Sequence, residues 1–150
     1  MTLEENQVIL VIEDSEDDYE AMQRAFKKEN NIRNAIIHCT NGDQALDYLF
    51  RQGEFAAPEQ APRPGVIFLD LNLPGTDGRM ILSKLKQDET LKTIPVIVLT
   101  TSSDERDIQA CFQAGANTYV KKPVDLDGFI DAVKRLKDYW IEFSILPKVE

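Results

Sequence analysis

Apolar residues fall along this chain in two rhythms that take turns. Three short runs are continuous: Val8-Ile9-Leu10-Val11-Ile12, Val66-Ile67-Phe68-Leu69 and Val96-Ile97-Val98-Leu99. Each is rich in β-branched residues and leaves neither face polar, which predicts strands covered on both sides. Two weaker segments, Ala35-Ile36-Ile37-His38-Cys39 and Thr118-Tyr119-Val120, read as further strands. Between these runs the spacing becomes that of helices with one apolar face. Met22, Ala25 and Phe26 share such a face, as do Ala45, Leu46, Leu49 and Phe50, then Ile81, Leu82 and Leu85. Ile108, Cys111 and Phe112 follow, and finally Phe129, Ile130, Val133 and Leu136. Strand and helix thus alternate five times, which predicts an α/β fold with a parallel sheet and helices on both faces.

Residues 53–65 hold three prolines and interrupt the pattern between the second helix and the third strand. They read as a surface loop within one domain, because too little chain precedes them for a separate core. A chain of 150 residues with 43% hydrophobic content fills one core. The expected domain is residues 1–139, with an apolar tail at 140–150. The net charge of −9 argues against a nucleic-acid partner, since phosphates select basic surfaces. No run of about 18 apolar residues is available to span a membrane. Residues 1–6 lack the basic and apolar regions of a signal peptide. The expected location is the cytoplasm, where Cys39 and Cys111 would be buried free thiols rather than a disulfide.

Polar residues of chemical interest gather where the strands end. Glu13 and Asp14 follow the first strand, Asp70 the third, Thr100 the fourth and Lys122 the fifth. In an open parallel sheet, ligands bind beyond these carboxyl ends, where strand order reverses. Taken singly, each residue has an ordinary structural role: acids after strands form turns, Asp14 and Ser15 could cap a helix, and Lys122 could be a solvated charge. Those roles do not explain why all five share one edge. Three close carboxylates repel one another and call for a hard, oxygen-liking cation such as Mg²⁺. A nearby lysine and hydroxyl suit the oxygens of a phosphoryl group, whose transfer needs positioning and charge stabilisation. Asp70 is the expected acceptor, with Lys122 and Thr100 on the phosphoryl oxygens.

These residues carry a family signature. Val11-Ile12-Glu13-Asp14, Phe68-Leu69-Asp70-Leu71-Asn72-Leu73-Pro74-Gly75, Val98-Leu99-Thr100 and residues 114–123 resemble the receiver domains of bacterial response regulators. The resemblance covers roughly residues 7–139 and implies a flavodoxin-like (βα)5 fold with strand order 2-1-3-4-5. It implies that Asp70 is the phosphoacceptor and a Mg²⁺ ligand, that Asp14 binds the metal directly, and that Glu13 acts on it through water. Asn72 would offer its backbone carbonyl. Thr100 would close on the phosphoryl group and Tyr119 would swing inward behind it. The resemblance also implies a cis peptide bond into Pro123, which marks Lys122 rather than Lys121 as the matching lysine. Two positions depart from the common pattern: Glu13 stands where aspartate is usual, and Thr101 where alanine or glycine is frequent.

A narrower resemblance lies in Gly42-Asp43-Gln44-Ala45-Leu46-Asp47-Tyr48-Leu49, in the Pro-rich loop and in Tyr139-Trp140. These look like the small response regulators paired with cyanobacterial phytochromes, which are light-sensing histidine kinases. The implied partner is therefore a histidine kinase of phytochrome type. The implied protein is no turnover enzyme beyond its own phosphorylation and dephosphorylation.

Competing functions fit less well. A phosphatase with an aspartate nucleophile needs a second Asp two positions on, and that position is Asn72. A flavodoxin-like nucleotide binder needs a Gly-rich phosphate loop where the chain reads Glu13-Asp14-Ser15-Glu16-Asp17-Asp18. The lone His38 falls inside a strand, which leaves a triad hydrolase without its base. A receiver-shaped interaction module that is never phosphorylated is the remaining alternative. About ten residues follow the last helix, too few for a helix-turn-helix, so output is expected through protein contact. Phe129, Val133, Leu136 and Trp140 form a stripe that Ile141, Phe143, Ile145 and Leu146 extend. The expectation is a two-fold homodimer built on this stripe and tail; the alternative is a tail folded back over its own domain.

Overall fold

All five expected strands form. The computed structural model describes residues 7–27 and 34–149, so the expectation about residues 1–6 lies outside the described residues. In chain order the elements are β1 (Val8–Ile12), α1 (Glu16–Lys27), β2 (Ile36–Cys39), α2 (Gly42–Phe50), β3 (Pro64–Leu69) and α3 (Gly78–Gln87), then β4 (Val96–Thr100), α4 (Glu105–Ala114), β5 (Thr118–Lys121) and α5 (Leu126–Lys137). The sheet is parallel in the order β2-β1-β3-β4-β5. This is the flavodoxin-like receiver arrangement.

The continuous apolar runs are explained by the pleat, which sends successive side chains to opposite faces. Leu10, Ile12, Ile67, Leu69, Val96 and Val98 point into one layer, against Leu49, Ile81, Leu82, Leu85 and Cys111 of α2, α3 and α4. Ile9, Val11, Val66, Phe68, Ile97 and Leu99 point into the other, against Met22 and Phe26 of α1 and Phe129 and Val133 of α5. No residue of β1, β3 or β4 is exposed. Both described cysteines are buried free thiols. No helix among the described residues is long and apolar enough to cross a membrane.

Acids away from the strand ends do take the ordinary capping role. Asp77, Asp104 and Asp125 accept backbone N–H groups in the first turns of α3, α4 and α5, and Asn41 does so for α2. Residues 53–65 are a surface loop, but a pinned one. It makes two 3-10 turns, Tyr48 donates its hydroxyl to the Pro62 carbonyl at 2.7 Å, and Arg63 donates to the Leu49 carbonyl at 2.7 Å.

The end of the fold differs from expectation. The last helix does not close the domain near Tyr139; α5 stops at Lys137 and widens into a π-helical segment, Asp138–Phe143. The tail then returns to the core, where Ile141 and Leu146 are buried in the same layer as α1 and α5. Residues on both sides of the expected boundary at 139 thus share one apolar layer. Of the residues assigned to a dimer contact, Phe129, Val133, Ile141 and Leu146 are occupied inside the chain. Leu136 and Trp140 lie half-buried against them, while Phe143 and Ile145 are 78% and 91% exposed.

Candidate functional site

The carboxyl edge of the sheet assembles the expected polar residues from four separate strand ends. Sheet hydrogen bonding runs on past the strands and fixes their spacing: Asp70 N–H donates to the Ile12 carbonyl at 3.0 Å, Glu13 N–H to the Cys39 carbonyl at 3.0 Å, and Lys122 N–H to the Thr100 carbonyl at 2.7 Å. Two glycines beside the loop that follows β3 have no room for a side chain. A Cβ on Gly78, the first residue of α3, would stand 2.2 Å from the Asp70 carbonyl oxygen and 2.6 Å from Leu71 Cα. One on Gly42 would stand 1.7 Å from the Thr76 carbonyl oxygen. Both glycines let helices approach the loop that follows β3.

At the centre is the Lys122 ammonium. Its Nζ donates to Glu13 Oε1 at 2.6 Å, to Asp18 Oδ2 at 2.8 Å and to Asp70 Oδ2 at 3.1 Å. Glu13, Asp70 and Lys122 are buried, whereas Asp14 is exposed at the rim. One oxygen from each of Glu13, Asp14 and Asp70 lies within 4.8 Å of the others. This all-oxygen trio, two members of it buried, fits a hard divalent cation. Asn72 contributes its backbone N–H to Asp70 Oδ1 at 3.4 Å.

Crowding sets the electrostatics. Burial pushes the Glu13 carboxyl up, to about 8; the Lys122 bond pulls against that and the Asp70 charge adds to it. Burial alone would lower the Lys122 amine, but bonds to Asp18 and Glu13 and the charges of Glu13 and Asp70 outweigh it. The amine is thereby held above its ordinary value, as a fixed cation.

Two neighbours steady the acidic loop after β1. His38 donates from Nε2 to the Glu13 carbonyl at 2.6 Å and stacks on Tyr19 with ring centroids 3.6 Å apart. His38 is thus a structural residue beside the site. Ser15 N–H reaches Glu13 Oε2 at 3.3 Å.

Thr100 ends β4 fully buried, and its Oγ1 is the one buried side-chain oxygen or nitrogen among the described residues without a hydrogen-bond partner. A buried hydroxyl without a partner costs free energy, so this one is a donor left unused by the fold. Tyr119 is half-buried, its hydroxyl donating to the Ser102 carbonyl at 2.9 Å. A cleft of about 510 Å³, lined in part by Asp18, Thr101, Pro123, Val124 and Leu126, opens beside Lys122.

One expectation is corrected. The described residues contain no cis peptide bond, so the bond into Pro123 is trans. The trans form is favoured before proline by about 0.5–1 kcal/mol, and Lys122 reaches all three acids through it. Asp18 is the residue that sequence reasoning missed. Acids are ordinary in the first turn of a helix, where they complement its dipole, so nothing in the sequence set this one apart.

The profile of the response regulator receiver domain matches residues 9–134. Response regulator Rcp1 of Synechocystis sp. is 40% identical over 140 residues, covering 93% of this chain and 92% of Rcp1. The crystal structure of the phosphorylated cyanobacterial phytochrome response regulator RcpA superimposes with a TM-score of 0.89 at 36% identity, covering 95% of this chain and 99% of RcpA. The Mn²⁺-bound form of Rcp1 gives 0.89 at 39% identity, with the same coverage. With that profile covering most of its length and a relative 40% identical over 93% of it, the chain belongs to the response regulator receiver domain family.

Proposed function

We propose that Asp70 accepts a phosphoryl group from a histidine kinase, in the presence of Mg²⁺, and that the phosphorylated chain signals by protein contact. One observation carries this reading: Asp70 sits between the Glu13–Asp14 acids and the Lys122 ammonium, with the partnerless hydroxyl of Thr100 closing the next strand.

In the reaction an Asp70 carboxylate oxygen attacks phosphorus. The new O–P bond forms as the bond from phosphorus to the donor nitrogen breaks, and the electron pair leaves with the imidazole. Charge spreads over the three peripheral oxygens, which need fixed positive groups and donors. Lys122 supplies the first and the Thr100 hydroxyl one of the second. Glu13, Asp14, Asp70 and the Asn72 backbone carbonyl would hold Mg²⁺, which when bound supplies charge neutralisation for a pocket rich in carboxylates.

The likeness to Rcp1 and to RcpA supports a kinase of phytochrome type as donor. We also assign the chain a homodimer through the outer side of α5 and the tail. Tyr139, Phe143 and Ile145 are 54%, 78% and 91% exposed, and with Leu136 and Trp140 they make an apolar surface that a two-fold partner would cover reciprocally.

Intact-mass measurement after incubation with acetyl phosphate and Mg²⁺ tests the central reading. The wild type should gain one phosphoryl group and Asp70→Asn none. A wild type left unmodified by acetyl phosphate and by phytochrome-type kinases would make the chain a receiver-shaped interaction module.

A further inference from the structure

We propose that Asp18 is a positioning residue for phosphoryl transfer, its carboxylate holding the Lys122 ammonium at the mouth of the site once the other acids are engaged. The inference rests on the phosphoacceptor role of Asp70.

Lys122 has three hydrogens to donate, and Glu13, Asp18 and Asp70 take one each, at 2.6, 2.8 and 3.1 Å. Two of these acceptors have other work. An Asp70 oxygen becomes the ester oxygen of the acyl phosphate, and Glu13 belongs to the trio that fits a cation. Asp18 lies outside that trio. Among the described residues its carboxylate bonds to the ammonium alone, and its side chain is 36% exposed, against 3% for Glu13 and 8% for Asp70. From the rim it keeps the amine at the side where phosphoryl oxygens enter.

The local hydrogen bonding supports a dedicated role. Ser15 caps α1, its Oγ accepting the Asp18 N–H at 3.2 Å. Asp18 is the third residue of α1, where an acid in a capping box turns back to the N–H of the capping residue. Here Glu13 Oε2 takes the Ser15 N–H instead, at 3.3 Å. The Asp18 carboxylate is thereby released from its helix and spans 104 positions of sequence to reach Lys122. Because its backbone is fixed in the first helical turn, the carboxylate has little freedom to wander, and the flexible lysine borrows that rigidity.

Asp18→Ala and Asp18→Asn in the full chain test the proposal, since Asn keeps an accepting oxygen of the same shape without the charge. With saturating Mg²⁺ and no phosphodonor, acetylation of the Lys122 amine by an N-hydroxysuccinimide ester is followed by peptide mass spectrometry, with exposed Lys84 as reference. Labelling should rise about threefold or more in Asp18→Ala and stay near wild type in Asp18→Asn. Phosphorylation by acetyl phosphate should slow by about three- to tenfold in Asp18→Ala and recover to within about twofold in Asp18→Asn. Unchanged labelling in Asp18→Ala, a transfer rate at or above wild type, or an Asn variant as impaired as Ala each overturns the role. Labelling needs no phosphoryl transfer. An unmodified wild type therefore marks failure of the phosphoacceptor reading, and a competent wild type with unaltered variants marks failure of this one.

Discussion

Arg79 grips Asp107 through two hydrogen bonds of 2.7 Å, Nε to Oδ1 and Nη2 to Oδ2, and so ties the start of α3 to the first turn of α4. Ser102 Oγ donates to the same carboxylate at 2.7 Å, and the Tyr119 hydroxyl donates to the Ser102 carbonyl. The aromatic residue expected to move with Thr100 is thereby linked to the loop leaving β4, and that loop to α3. The Arg79 bond first, and the Ser102 bond after it, hold the Asp107 carboxyl down to about 2. A folded-state value below the unfolded one of about 3.9 gives stability that is complete above that pH and lost as pH falls through the folded value. Asp107→Asn should cost about 0.5–1 kcal/mol at neutral pH, and the gap to wild type should close toward pH 2. Urea unfolding at a series of pH values reads it; a gap that stayed constant into acid would assign the loss to packing.

Thr100→Val is expected to separate stability from switching. Valine keeps the shape of threonine and removes a buried hydroxyl that has no partner. The metal-free fold should gain about 1 kcal/mol, because an unsatisfied polar group is no longer buried. The variant should still accept a phosphoryl group on Asp70, but its partner binding should respond weakly. Chemical denaturation and a phosphorylation-dependent binding assay check the two halves, and full responsiveness in the valine variant would remove Thr100 from the switch.

The two acids after β1 should contribute unequally to metal affinity. Glu13 already spends Oε1 on Lys122 and Oε2 on Ser15 N–H, whereas Asp14 faces solvent. Glu13→Gln should weaken Mg²⁺ binding by the ~10–100-fold typical of an outer partner, and Asp14→Ala by more. Calorimetric titration compares them. Equal losses would make Glu13 a direct ligand.

The tail should fail in two different ways depending on which residue is changed. Ile141→Ala opens a cavity in the layer shared with α1 and α5 and should cost about 2–4 kcal/mol. Phe143→Ser with Ile145→Ser alters only exposed positions, so it should leave stability within about 0.5 kcal/mol and shift a dimer to monomer. Light scattering across a dilution series, paired with thermal melts, checks both. A wild type that is monomeric at high micromolar concentration would leave Phe143 and Ile145 without an assembly role.

How much of this was legible in the sequence varies with the range over which each feature is decided. β1, β3 and β4 announce themselves because both faces of each are buried, so every position carries the same apolar requirement. That Glu13, Asp14, Asp70, Thr100 and Lys122 share one edge was legible because topology alone brings those strand ends together. Asp18 was hidden by a role it could equally have filled as a helix-dipole acid. The Arg79–Asp107 pair joins half-buried residues 28 apart on two helical turns, where charge has many innocent explanations. Gly78 needed the backbone of Asp70 beneath it before its lack of a side chain meant anything. Apolar residues of the tail read the same whether they cover their own core or another copy; only the fold separates buried Ile141 from exposed Phe143.

The placement of Trp140 gives the molecule two optical ends. The chain's one tryptophan stands in the π-helical segment, edge-on to Tyr139 at 5.2 Å, whereas Tyr19 stacks on His38 beside the acidic loop. Leu126, at the site's end of α5, and Trp140 are separated by about 20 Å of helix. Excitation selective for tryptophan therefore watches the tail, while tyrosine emission includes a chromophore at the acidic corner. A change in tryptophan emission on phosphorylation would be a message delivered along α5, and its arrival could be timed without attaching any dye.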